Sequence, residues 1–120
     1  MTPTEVLQAV CEAWNRLDSD ALAELFADDG LFEDPLNEGA VRGREEVRAN
    51  AAHGMAELSE CEVTLSTVVK RGDVGLSEGM FRSALADGGA RFDFPFAMVI
   101  ELRGGRISRL TEYFDTAPLV

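Results

Sequence analysis

Two carboxylates in this 120-residue chain share predicted strand faces with large apolar side chains. The first, Asp34, ends the short strand Leu31-Phe32-Glu33-Asp34. Pro35 stops that strand, because proline has no N–H and cannot extend a ladder on both sides. Alternation puts Phe32 and Asp34 on one face and Leu31 and Glu33 on the other. A carboxylate beside Phe32 would be partly desolvated, which suits it to take up a proton. The second, Glu112, has Leu110 and Phe114 as face-mates. If both acids enter one dry space they repel, and one is poised as an acid while the other is a base. The plainer alternatives are a turn-forming Asp before Pro35 and an exposed Glu112 paired with Arg109 or Arg91, worth little.

Around these acids the sequence offers a hydrophobic wall. In the run Arg91–Arg103, Phe92, Phe94, Phe96, Met98, Ile100 and Leu102 fall on one face, with Arg91, Asp93, Pro95 and Glu101 opposite. Such a face is covered by helices as core, or it lines a pocket for an apolar ligand. Trp14, at helical spacing, fits either the core or a cavity wall. Tyr113 lies on the face opposite Glu112 and fits a structural or interfacial role. His53, the single histidine, sits at a predicted helix end beside Gly54, where solvation or dipole stabilisation fits it better than catalysis. Asp28 and Asp29 read as turn and solvent residues. No phosphate loop, Ser–His–Asp arrangement or metal-ligand cluster is visible.

The elements that must position these residues follow from pattern. A helix opens at Thr4, capped by Thr2 or Thr4, with Val6, Val10, Ala13, Trp14 and Leu17 at helical spacing. Asp18 or Ser19 caps a second helix over 21–27, and Asp28-Asp29-Gly30 turns the chain into the Asp34 strand. After the Asn37-Glu38-Gly39 turn a third helix starts at Val41 and ends at His53, with Gly54 as its C′ residue. Four long strands follow over 61–70, 74–86, 91–103 and 106–114. They are separated by Arg71-Gly72-Asp73, Asp87-Gly88-Gly89 and Gly104-Gly105, connections short enough to imply antiparallel neighbours. Helices first and sheet afterwards is the α+β pattern, in a single domain over 1–120.

Composition bounds the function. With 46% hydrophobic and 28% charged residues the chain is an ordinary soluble globular one. A net charge of −11 disfavours nucleic acid and anionic membrane surfaces as partners. Cys11 and Cys61 are isolated, which disfavours a disulfide framework or zinc. The N-terminal run shows neither a basic region nor a long apolar stretch, so cytoplasmic residence is the default expectation.

Three features, in this order, resemble the ketosteroid isomerase-like and SnoaL-like branch of the nuclear transport factor 2-like superfamily. They are FADDGLFEDP at 26–35, GREEVR at 43–48 and GGRISRLTEYFD at 104–115. The resemblance covers essentially the whole chain. It implies a cone-shaped α+β roll of the cystatin-like kind, in which a curved antiparallel or mixed sheet wraps around N-terminal helices and an internal apolar pocket. It also implies a homodimer paired through the sheet's outer face.

For function, the resemblance makes Asp34 the general base of ketosteroid isomerases and Glu112 the last-strand acid of SnoaL-like cyclases. The family's oxyanion-hole positions correspond to Val10 and Met98, neither of which donates a hydrogen bond. The Arg and Asp of the related epoxide hydrolases correspond to Gly79 and Phe81. The expectation is a cofactor-independent isomerase or cyclase moving a proton on an apolar carbonyl compound, steroid-like or polyketide-like. Asp34 and Glu112 would be catalytic, with Trp14, Phe32, Phe81, Phe94, Phe96, Met98 and Phe114 against the substrate and no metal. The alternatives are a non-catalytic ligand-binding or dimerising member and an atypical epoxide hydrolase.

Overall fold

The computed structural model describes residues 1–117. Helix α1 spans Pro3–Asn15 and begins where the sequence can satisfy free backbone donors. Glu5 N–H donates to Thr2 Oγ1 at 3.2 Å and Thr2 N–H donates to Glu5 Oε1 at 2.9 Å, a reciprocal capping box. Pro3 sits in the first turn, where its missing N–H costs nothing. The helix buries Val6, Leu7, Val10, Cys11 and Ala13. Helix α2 (Ser19–Glu24) is capped by Asp18, whose Oδ1 accepts from Ala21 N–H at 2.9 Å.

Strand β1 runs Phe26–Glu33, β2 is Val41–Arg42, and helix α3 is Arg44–Ala56. Strands β3 (Leu58–Arg71), β4 (Val74–Leu85), β5 (Arg91–Arg103) and β6 (Arg106–Tyr113) complete one sheet in the order β2-β1-β6-β5-β4-β3. Every pairing is antiparallel except β1 with β6, which makes the sheet mixed. Breaks of register in β3, β5–β6 and β1–β6 mark the irregularities that bend a sheet. α1 packs over β3, β4 and β5, and the inner face of β5 (Phe94, Phe96, Met98, Ile100, Leu102) is buried beneath it. The α+β expectation and the four-stranded meander hold.

Several boundaries differ, each for a tertiary reason. α2 stops at Glu24 instead of reaching Ala27, because Phe26 is fully buried and pairs with Ile107. Arg44 fixes this position from α3, donating through Nε and Nη2 to the Phe26 carbonyl at 3.0 and 2.7 Å. Asp28-Asp29-Gly30 is therefore strand, not turn. Asp28 and Asp29 form ion pairs with Arg44 and Arg103. Val41 belongs to β2, not α3. Gly54 lies inside α3, which ends at Ala56 with Glu57 as its C-cap, so it is not the C′ residue. The exposed His53 faces Glu57 at 3.8 Å. β3 begins at Leu58, three residues earlier than expected, and β6 ends at Tyr113 rather than Phe114.

Candidate functional site

Glu112 joins two spaces. On its inner side an apolar cavity is lined by Val10, Cys11 and Trp14 of α1, Val63 of β3, Phe81 of β4, and Phe94, Phe96 and Met98 of β5. On its outer side an open mouth is bordered by Asp34, Pro35, Thr111, Tyr113 and Phe114. The ladder explains this placement. Glu112 pairs with Met98 on β5, and Leu110, two residues earlier on the same face, is buried in the core.

Glu112 is half-buried as a residue, and apolar side chains line the cavity that its carboxyl meets. Burial pushes its pKa up to about 8, and the charge of Asp34 adds to the rise. Both effects favour the protonated form of Glu112, which can donate. Neither Arg109 nor Arg91 pairs with it. Arg109 bonds Glu101 at 3.0 Å and Thr111 at 2.5 Å on the opposite face, and Arg91 pairs with Glu60 and Asp93.

Asp34 lies one residue beyond β1, half-buried, and its Oδ1 accepts three hydrogen bonds. They come from Leu36 N–H at 3.0 Å, Asn37 N–H at 2.9 Å and Asn37 Nδ2 at 2.8 Å. Asn37 is held in turn by Asn50 of α3, whose Nδ2 donates to Asn37 Oδ1 at 2.9 Å. The turn-forming role and the mouth position therefore coexist in one side chain. Among the described residues no donor reaches Oδ2.

Of the apolar residues expected at the site, Trp14, Phe81, Phe94, Phe96 and Met98 line the cavity and Phe114 lines the mouth. Phe32 does not: it is a core residue, paired with Val41 and Leu110, and borders neither space. Phe94 stacks on Phe81 at 4.9 Å and packs against Phe114 at 4.7 Å, while Trp14 meets Phe81 edge-on at 5.7 Å. This aromatic column nearly fills the hollow, leaving about 20 Å³, space for about one water molecule. A substrate enters only if side chains move.

Sequence reasoning missed Asn37 and Asn50, because the first reads as a turn residue and the second as a helix surface position. It also missed Cys11 as a lining residue. Burial pushes the Cys11 thiol up to about 12, with Glu112 adding to the rise, so it is no nucleophile. Among the described residues no cluster of His, Cys, Asp and Glu could hold a metal, and no helix is long and apolar enough to cross a membrane.

Gly79, at the β4 position expected to carry an epoxide hydrolase residue, has no room for a side chain. A Cβ there would press into the Thr64 carbonyl oxygen and stand 3.0 Å from the Phe96 ring.

Comparison with known proteins decides the family. The model of the SnoaL-like domain matches residues 7–110. The chain belongs to this family. This SnoaL-like chain carries the nuclear transport factor 2-like fold, as solved structures also show. A protein with a ketosteroid isomerase-like fold from Catenulispora acidiphila, solved with trimethylamine, is 26% identical, with a TM-score of 0.87 over 98% of this chain and 90% of that one. A candidate SnoaL-like polyketide cyclase from Jannaschia sp. CCS1 is 17% identical, with a TM-score of 0.85 over 98% and 88%. An epoxide hydrolase from M. tuberculosis resembling limonene-epoxide hydrolase is 22% identical, with a TM-score of 0.81 over 95% and 79%. No curated protein matches significantly.

Proposed function

We propose that this SnoaL-like protein is an isomerase or cyclase that moves a proton on an apolar carbonyl compound, steroid-like or polyketide-like, without a cofactor. One observation carries the reading. Glu112, whose pKa is raised to about 8, faces the apolar cavity and shares its mouth with Asp34. Asp34, anchored through Oδ1, takes the proton α to the carbonyl on Oδ2. Glu112 gives its proton to the carbonyl oxygen as the enol forms, and the two transfers reverse on the new carbon. A positioned base contributes about 10²–10⁴-fold. A neutral acid in an apolar place also supplies the hydrogen bond that Val10 and Met98 cannot. Because Met98 is the ladder partner of Glu112, that donor stands one strand over from the family's position.

The test is deuterium exchange at the α-carbon of an apolar cyclic β-diketone, followed by NMR. Exchange should be accelerated by the wild type and lost in Asp34→Asn with the fold intact. Full activity of that variant discards the base assignment.

A second reading, a ligand binder without chemistry, is favoured by the small cavity. It predicts binding of apolar ketones with no acceleration of exchange. The epoxide hydrolase reading loses support at Gly79, which leaves no space for a catalytic side chain. The proposal includes a cytoplasmic homodimer paired through the outer sheet face, where Val69, Leu76 and Tyr113 are exposed. Light scattering of the eluting protein should give twice the 13.0 kDa chain mass.

A further inference from the structure

Ser77 is 0% exposed, and its Oγ has no hydrogen-bond partner among the described residues. A buried hydroxyl without a partner is an exception that asks for a physical reason. On the inner face of β4 it lies between Gly75 and Gly79. A Cβ at Gly75 would crowd Leu7 and Ile100, and one at Gly79 would crowd Phe96. The side chains around this stretch are thus apolar, and a hydroxyl gains nothing by packing against them.

The ladder places this hydroxyl with respect to the site. Ser77 pairs with Met98, and Met98 pairs with Glu112, so the three residues form one row across β4, β5 and β6. Strand spacing puts the backbones of Ser77 and Glu112 roughly 10 Å apart. Met98 stands between two groups able to donate a hydrogen bond, and it is the cavity wall on that side. Its side chain is unbranched and flexible, the kind that re-packs at low cost. The remaining space holds about one water, so some wall residue must yield before a substrate binds.

We infer that Met98 is a displaceable plug and that Ser77 Oγ, behind it, donates a hydrogen bond to an oxygen at the buried end of the ligand. This deepens the proposed function and rests on it. The ligand class narrows to apolar molecules with oxygens at both ends, one meeting Glu112 and Asp34 at the mouth and one accepting from Ser77. A flat polyketide-like or quinone-like body fits that requirement.

The probe is an acetylnaphthol carrying its ketone and hydroxyl at opposite ends of the ring system. Its control is the isopropenyl analogue, which lacks the carbonyl acceptor. Affinity is read from quenching of Trp14, the single tryptophan, and hydrogen bonding from the ketone stretching frequency of the bound probe. In the wild type the ketone should bind about tenfold tighter than the alkene, as expected for one net hydrogen bond. Ser77→Ala should bring the two to parity and return the stretch to its unbonded frequency, with alkene affinity unchanged and folding no weaker. Met98→Ile, of similar volume but stiff at χ1, should weaken both probes together.

Three outcomes overturn the inference: a ketone preference that survives Ser77→Ala, a stretch unaffected by it, or failure of the wild type to bind either probe. A hydroxyl satisfied only by a trapped water gives the first two. Loss of the proposed proton chemistry alone would show differently, as Asp34→Asn retaining exchange activity while the Ser77 effect persists.

Discussion

Glu112 of β6 stands opposite Met98 of β5, at the junction between an aromatic-lined hollow and an open mouth. This relationship makes stability depend on pH in a direction opposite to that of most acids. The folded pKa of about 8 exceeds the ordinary carboxyl value of 4.5. Between those values the native state holds a proton that the unfolded chain has released, so stability falls as pH rises through this window and levels off above it. The loss is on the order of a few kcal/mol. Denaturant titrations at about pH 5 and about pH 9 should show it in the wild type, and Glu112→Gln should remove it. An unchanged slope in the variant would assign the titration to another group.

Asn37→Ala tests the support of the other acid. It deletes one of the three donors to Asp34 Oδ1 and cuts the link to Asn50. The two backbone donors remain, so the turn should persist and melting should shift little. Without the side-chain bond Asp34 is less well aimed. The expected result is about a tenfold drop in kcat at unchanged KM, the equivalent of one net hydrogen bond. A rise in KM alone would make Asn37 a substrate contact instead.

The sheet half of the molecule was legible because period-two alternation in Arg91–Arg103 and the glycine turns are local signals. The pattern placed Phe94, Phe96 and Met98 on the buried face correctly. Residues 24–30 were misread because a leucine- and alanine-rich run favours helix locally. The deciding contacts, Phe26 with Ile107 and with Arg44, are remote in sequence. Glu112 was readable as a pocket acid from Leu110 and Phe114. Asn37 and Ser77 were not, because their importance depends on which neighbours the fold brings to, or withholds from, a polar atom.

Gly79→Ala should be among the most damaging single-methyl additions to this chain. The new Cβ would meet the Thr64 carbonyl, which is backbone and held in the β3–β4 ladder, as well as the Phe96 ring. Relief requires the strands to separate beside the register break between Leu65 and Thr67. A loss of about 3 kcal/mol, at the upper end for overpacking, is expected from urea unfolding. Gly88→Ala is the control for methyl addition, since nothing lies near a Cβ there and only its φ of 81° opposes the change. If both variants lose the same small amount, the close approach at Gly79 is not a constraint.

Phe94→Ala separates the structural from the binding role of the aromatic column. Phe94 is buried and touches Phe81, Phe92 and Phe114, so truncation removes the centre of the stack. The transfer and cavity contributions together predict a loss of about 3–5 kcal/mol. The hollow should also enlarge beside Glu112, and a dry apolar void of that kind takes up small aromatic molecules. Adding benzene should therefore recover part of the lost stability in Phe94→Ala and none in the wild type, with the recovery growing as ligand concentration rises. A variant that loses stability yet gains nothing from benzene would mean that Phe81 and Phe114 close the gap. The column would then be a collapsible core and not the wall of a binding site.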